Sequence, residues 1–95
     1  MSTPEEAVHV HAQATVAVDL GTLFAGMTPQ GFARAMELGN TTWKVTGYEI
    51  TAQARDGDDY VFDVRYETDR GPMSLRYRFR DVDGEWKVVD VAHAT

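Results

Sequence analysis

From Thr41 onward apolar and polar residues alternate with a period of two. Turn residues interrupt the alternation at Asp56-Gly57-Asp58, Asp69-Arg70-Gly71-Pro72 and Asp83-Gly84. A period of two cut by Asp-Gly signals predicts four strands joined as hairpins, from Trp43 to Arg55, Asp59 to Thr68, Met73 to Val82 and Glu85 to His93. Thr3-Pro4-Glu5-Glu6 ahead of them is a helix start, with a capping threonine, a proline at the first helical position and a glutamate completing the capping box. The residues that follow are ambiguous. Val8, Val10, Ala12, Ala14, Val16, Val18 and Leu20 alternate with mostly polar neighbours as in a strand, whereas the capping box and the alanines favour a helix. A helix is the reading adopted, with a first strand as the alternative. A short second helix is expected between Asp19 and Met27. Thr28-Pro29 opens a third, Gln30 to Leu38, which places Phe32, Ala35 and Met36 on one stripe. Helices followed by a four-stranded antiparallel meander make an α+β fold in a single domain spanning residues 1–95.

Turn lengths then suggest which residues share a face. A two-residue turn at Asp83-Gly84 pairs Phe79 with Val88 and Tyr77 with Asp90. A four-residue connection at 69–72 aligns Tyr66 with Leu75 and Phe62 with Phe79. A three-residue loop at 56–58 aligns Tyr48 with Tyr66, Ile50 with Val64 and Ala52 with Phe62. One face is then aromatic and aliphatic except for Asp90. The other carries Arg76, Arg78 and Arg80 among Asp63, Glu67, Val61, Val89 and Val91. An unpaired carboxylate on an apolar face is costly and must be hydrogen-bonded, wet or protonated. Asp90 therefore reads either as a structural acid or as a general base, with Tyr77 stabilising a developing oxyanion. Tyr48, Tyr66, Trp43 and Phe24 are the aromatic residues expected to touch a ligand. The valines among the arginines suggest that the opposite face, through Arg76, Arg78, Val89 and Val91, is a homodimer surface.

The composition narrows the remaining classes. At 43% hydrophobic and 11% aromatic, the 95 residues can pack one layer of helix on sheet. A formal charge of −6 without a basic run argues against nucleic-acid binding. No apolar run approaches the roughly 20 residues of a membrane span, and the start of the chain lacks the marks of a signal peptide, so a soluble cytoplasmic domain is expected. There is no cysteine. His9 and His11 would share a face on a strand but diverge by roughly 200° on a helix. Neither arrangement brings enough further ligands for a metal, and no cofactor motif is present.

The capped first helix, Asp19-Leu-Gly-Thr-Leu opening a second, Met27-Thr28-Pro29, and the final hairpin Asp83-Gly84-Glu85-Trp86-Lys87-Val88-Val89 together resemble the nuclear-transport-factor-2-like, or SnoaL-like, cystatin-like cone superfamily across residues 4–93. The resemblance implies a curved sheet wrapped around a long helix, a pocket between them and commonly a homodimer through the sheet. It carries two functional expectations. One is a small domain that binds an apolar ligand or a partner without chemistry. The other is an isomerase- or cyclase-type enzyme, with Asp90 as base and Tyr77 as oxyanion donor. The chain is short for an enzyme of that group, lacking a strand and loops that usually deepen the pocket.

Overall fold

The computed structural model describes residues 3–37 and 44–94. Helix α1 runs Pro4–Ala17, α2 Leu20–Ala25 and α3 Pro29–Glu37; the strands are β1 Val45–Asp56, β2 Asp59–Thr68, β3 Gly71–Val82 and β4 Glu85–His93. The sheet is antiparallel throughout, in the order β1-β2-β3-β4. Residues 8–17 are therefore helix and not strand. The Thr3 hydroxyl accepts the Glu6 amide at 3.1 Å, capping the first turn as the sequence foretold. The expected end of α3 at Leu38, and Trp43 with it, lie outside the described residues.

The core forms where α1 lies against one face of the sheet. Val8 and Ala12 of α1 are buried together with Phe62, Val64, Tyr66, Leu75, Tyr77, Phe79, Val88 and Val91. The sheet face is mostly the one expected, but the register differs from the expected one in each of the three hairpins. The first hairpin turns on Gly57-Asp58 with Asp56 opposite Asp59. Tyr48 still meets Tyr66 and Ile50 still meets Val64, because an extra residue, Thr51, bulges between Ile50 and Ala52. Ala52 consequently pairs with Asp63 instead of Phe62 and is exposed. The second hairpin is tighter than expected, with Thr68 opposite Gly71, so Phe62 meets Tyr77 and Tyr66 meets Met73. That slip is of two residues and leaves every side chain on its face.

The third difference decides the site. Val82 pairs with Glu85 and Phe79 with Val88 as expected, but a bulge then admits Val89 as an unpaired residue, and Arg78 faces Asp90. Beyond it every side chain of β4 is on the opposite face from the one expected. Val91, 1% exposed, takes the core position opposite Tyr77, and Asp90 turns away.

The neighbourhood of the bulge is held from outside the sheet. Gly26–Thr28 runs along the free edge of β4: the Val88 amide donates to Gly26 O at 2.8 Å and the Thr28 amide donates to Val88 O at 3.0 Å. The Thr28 hydroxyl accepts the Gly31 amide at 3.1 Å and so caps α3. Gly31 rests directly on β4, where a Cβ would stand 2.2 Å from Val88 O and 3.3 Å from the Val89 Cα. Only a residue without a side chain lets α3 sit there.

Candidate functional site

Between the helices and the sheet lies an apolar cavity of about 230 Å³. Its walls come from Val18 after α1, Leu20, Leu23 and Phe24 of α2, Phe32, Ala35 and Met36 of α3, and Val45, Met73, Leu75 and Val91 of the sheet. Phe24 packs edge-on against Phe32, with centroids 4.8 Å apart, and is itself 50% exposed, so this pair borders the cavity on its open side.

Polar atoms gather among His11, Thr15 and Tyr77, which also line the cavity. The Tyr77 and Tyr66 hydroxyls are buried 2.8 Å apart, so one phenol donates to the other. The Thr15 hydroxyl donates to His11 O at 2.9 Å and also interacts with both phenols. Burial is the main reason both phenols resist ionisation: Tyr66 is pushed up to about 12 and Tyr77 well above its ordinary value. Both are protonated hydrogen-bonding groups at neutral pH. His11 is 6% exposed, its ring edge-on to Tyr77 at 4.7 Å, and its Nδ1 has no hydrogen-bond partner among the described residues. Desolvation lowers it to about 4, so the imidazole is neutral at pH 7.

The expected site residues are scattered. Tyr77 and Phe24 line the cavity, and Tyr66 stands behind Tyr77 as its hydrogen-bond partner. Tyr48 belongs to a separate, open cleft between α1 and β1, where its hydroxyl lies 2.9 Å from His9 Nδ1 beside Glu5, Glu49 and Gln53. Trp43 lies outside the described residues. Asp90 is not brought to Tyr77. Its side chain is 51% exposed, 3.2 Å from Arg34 Nε of α3, and it accepts the Val91 amide at 2.9 Å. The cause is the Val89 bulge, which spares the core a carboxylate and supplies it with a valine.

The same bulge moves two residues of the face expected to carry a homodimer. Val91 faces the core, and Val89 is nearly buried beside Gly31. The arginines of β3 are occupied on the sheet itself. Arg76 grips Asp63 through two bonds of 2.8 and 3.1 Å, Arg78 bonds Asp59 at 2.9 Å and Asp56 at 2.7 Å, and Arg80 holds Asp59 at 2.9 and 3.0 Å. Asp59, covered by two guanidinium groups, is held below the usual carboxylate range chiefly by its hydrogen bonds from Arg80. Among the described residues no group of three or more histidine or acidic side chains is arranged to hold a metal ion, and no helix is long and apolar enough to cross a membrane.

His11 and Thr15 are the cavity residues that the alternating pattern concealed. The signal was present: once residues 4–17 are a helix, Val8, His11, Ala12 and Thr15 follow the i, i+3, i+4, i+7 spacing of one stripe, buried at its first three positions and half-buried at Thr15.

No family model matches the chain, and no curated protein matches it by sequence. Solved structures match it closely in shape. A protein of unknown function from Shewanella baltica, described as NTF2-like, superposes with a TM-score of 0.70 at 10% identity, covering 92% of this chain and 86% of that one. The fold is nuclear-transport-factor-2-like. A SEC-C motif containing protein from Rhodopseudomonas palustris gives a TM-score of 0.73 at 13% identity, covering 98% of this chain and 80% of its own. A de novo designed protein with a curved β-sheet gives 0.67 at 16% identity, over 94% and 96% of the two chains. A shared fold does not specify a function, so function must be argued from the cavity.

Proposed function

We propose that this domain binds a small, uncharged, largely apolar molecule in the cavity between α1, α2, α3 and the sheet. The observation that supports this reading most is the join of an apolar chamber of about 230 Å³ to the buried His11 and Tyr77 and the half-buried Thr15. Binding sites for small molecules combine apolar walls with a few orienting polar groups in this way. The competing reading, an enzyme using Asp90 as base and Tyr77 as oxyanion donor, gains no support from the geometry, because the acid lies on the other side of the strand and is shared with Arg34.

The test is a titration with uncharged aromatic hydrocarbons from toluene to phenanthrene, followed by NMR and thermal melting. The expected result is a set of shifts confined to His11, Leu23, Met73 and Val91, and a rise in melting temperature with saturation, since a ligand at a hundred times its Kd stabilises by about 2.7 kcal/mol. Ala35→Trp, which fills the chamber from α3, should abolish both effects. Undiminished binding to a folded Ala35→Trp variant would refute the proposal.

A further inference from the structure

The chamber has a closed end and an open one, and the difference bears on the shape of the molecule it takes, an inference that rests on the binding role proposed above. At the closed end Met73, Leu75, Tyr77 and Val91 of the sheet are 1–9% exposed. At the open end Val18, Leu20, Phe24, Phe32 and Met36 line the same chamber, yet they are 37–70% exposed. Single exposed apolar residues are ordinary on a folded chain, whereas several gathered in one place mark a surface that something covers. These five border one cavity, so the patch they form continues the chamber outwards.

What covers the patch is limited by its size and by its charge. Five side chains fall far short of the roughly 20–30 residues a side of a stable protein interface. Asp19 stands between Val18 and Leu20, and its carboxylate accepts only the Thr22 amide at 3.3 Å and the Thr22 hydroxyl at 2.7 Å. Two copies joined patch to patch would bring both acids into one dry interface. Arg34, the only Lys or Arg of the three helices, is held by Glu37 and Asp90 and does not meet them there. A thin hydrocarbon chain can lie on the apolar side chains and leave Asp19 in water. The walls also suit a chain better than a plate. Phe24 and Phe32 meet at 75°, so their faces make no parallel slot for a flat ring system. Met73 at the closed end and Met36 at the open one are unbranched and adapt to an irregular occupant. In proportion to an apolar cavity of ~150 Å³ that takes benzene, the chamber's 230 Å³ holds about nine carbon atoms.

We infer that the ligand is an elongated, flexible aliphatic chain of more than about nine carbons, one end of it in the chamber and the rest laid over Leu20, Phe24 and Met36. The probes are the straight-chain alcohols from 1-hexanol to 1-dodecanol, each titrated below its solubility limit and followed by calorimetry and NMR. Affinity should rise roughly four-fold per methylene while the chamber fills. Past about nine carbons it should keep rising at roughly two-fold per methylene, because the side chains at the mouth are about half exposed and cover a methylene on one side only. Dodecanol should therefore bind about eight-fold more tightly than nonanol, and it should move resonances of Leu20 and Met36 that hexanol leaves in place. The double variant Leu20→Ser, Met36→Gln changes two half-exposed side chains and should shrink that eight-fold gain to less than about three-fold. The chain-length series in the unaltered protein decides the matter even if the variant does not fold. Affinity that levels off or falls beyond nine carbons, or a gain undiminished in the folded variant, would overturn the elongated ligand and leave a compact one in the chamber. A chain that sediments as a dimer and is made monomeric by the same two substitutions would overturn it in favour of a second copy. Failure of every alcohol to bind would overturn the binding role as well.

Discussion

His11 is a neutral, desolvated base inside the fold, and that has a measurable cost in acid. Its pKa is lowered from 6.5 to about 4 in the folded chain, while the unfolded chain keeps the ordinary value. Between those two values the unfolded state binds more protons than the native one. The stability is therefore complete above about pH 6.5, falls as the pH is lowered towards 4, and loses nothing further from this group below that. The full span corresponds to about 3 kcal/mol, and at pH 4.5 about 2.5 kcal/mol of it is already lost. His11→Phe keeps an aromatic ring edge-on to Tyr77 and Phe79 and has nothing to protonate. Urea unfolding of both proteins at pH 7.5 and pH 4.5 isolates the group, because His9, His93 and the carboxylates are common to the two chains and cancel in the difference. The unaltered protein should lose about 2.5 kcal/mol more than the variant between these pH values. A difference below about 0.5 kcal/mol would mean that His11 is not buried as a neutral ring.

Two other substitutions probe the frame around the cavity. Gly31→Ala places a Cβ 2.2 Å from Val88 O, a backbone atom that cannot rotate aside, and should destabilise the fold by about 2 kcal/mol or more in the same urea assay; a loss under 0.5 kcal/mol would show that α3 does not rest on β4 as described. Asp59→Asn leaves Arg78 and Arg80 without their shared carboxylate and should cost about 1–2 kcal/mol at pH 7, with the difference vanishing as acid protonates Asp59 in the unaltered protein. A variant as stable as the parent at pH 7 would show that the arginines hold one another apart without it.

The elements were legible in the sequence because their signals are local. A capping threonine with its glutamate, a change of period from helical to two, and Asp-Gly or Asp-Arg-Gly punctuation each act over a few residues, and they located three helices and four strands. Face assignments in β2 and β3 survived an error in hairpin length because that error was even. The bulges were not legible. Thr51 and Val89 are ordinary strand residues, and what holds the bulge at Val89 is distant: the bonds of Gly26 and Thr28 to Val88, and the seat of Gly31 on the same strand. For the site, this meant that aromatic residues on the core face, Tyr77 and Tyr66, were found from the pattern alone. The acid that seemed to accompany them was an artefact of an unbroken register. His11 escaped because a thirteen-residue run that alternates like a strand hides the helical stripe on which it lies.

The bulge at Val89 also has a bearing on descent. A strand that gains or loses one residue there exchanges the side chain offered to the chamber for its neighbour, so that a single-codon insertion or deletion, with no other substitution, could replace Val91 by Asp90 or the reverse. Matches at 10–16% identity cannot place such a gap from residue similarity. Related chains with acids near the end of the last strand must be compared through their strand pairing before those acids are equated with Asp90.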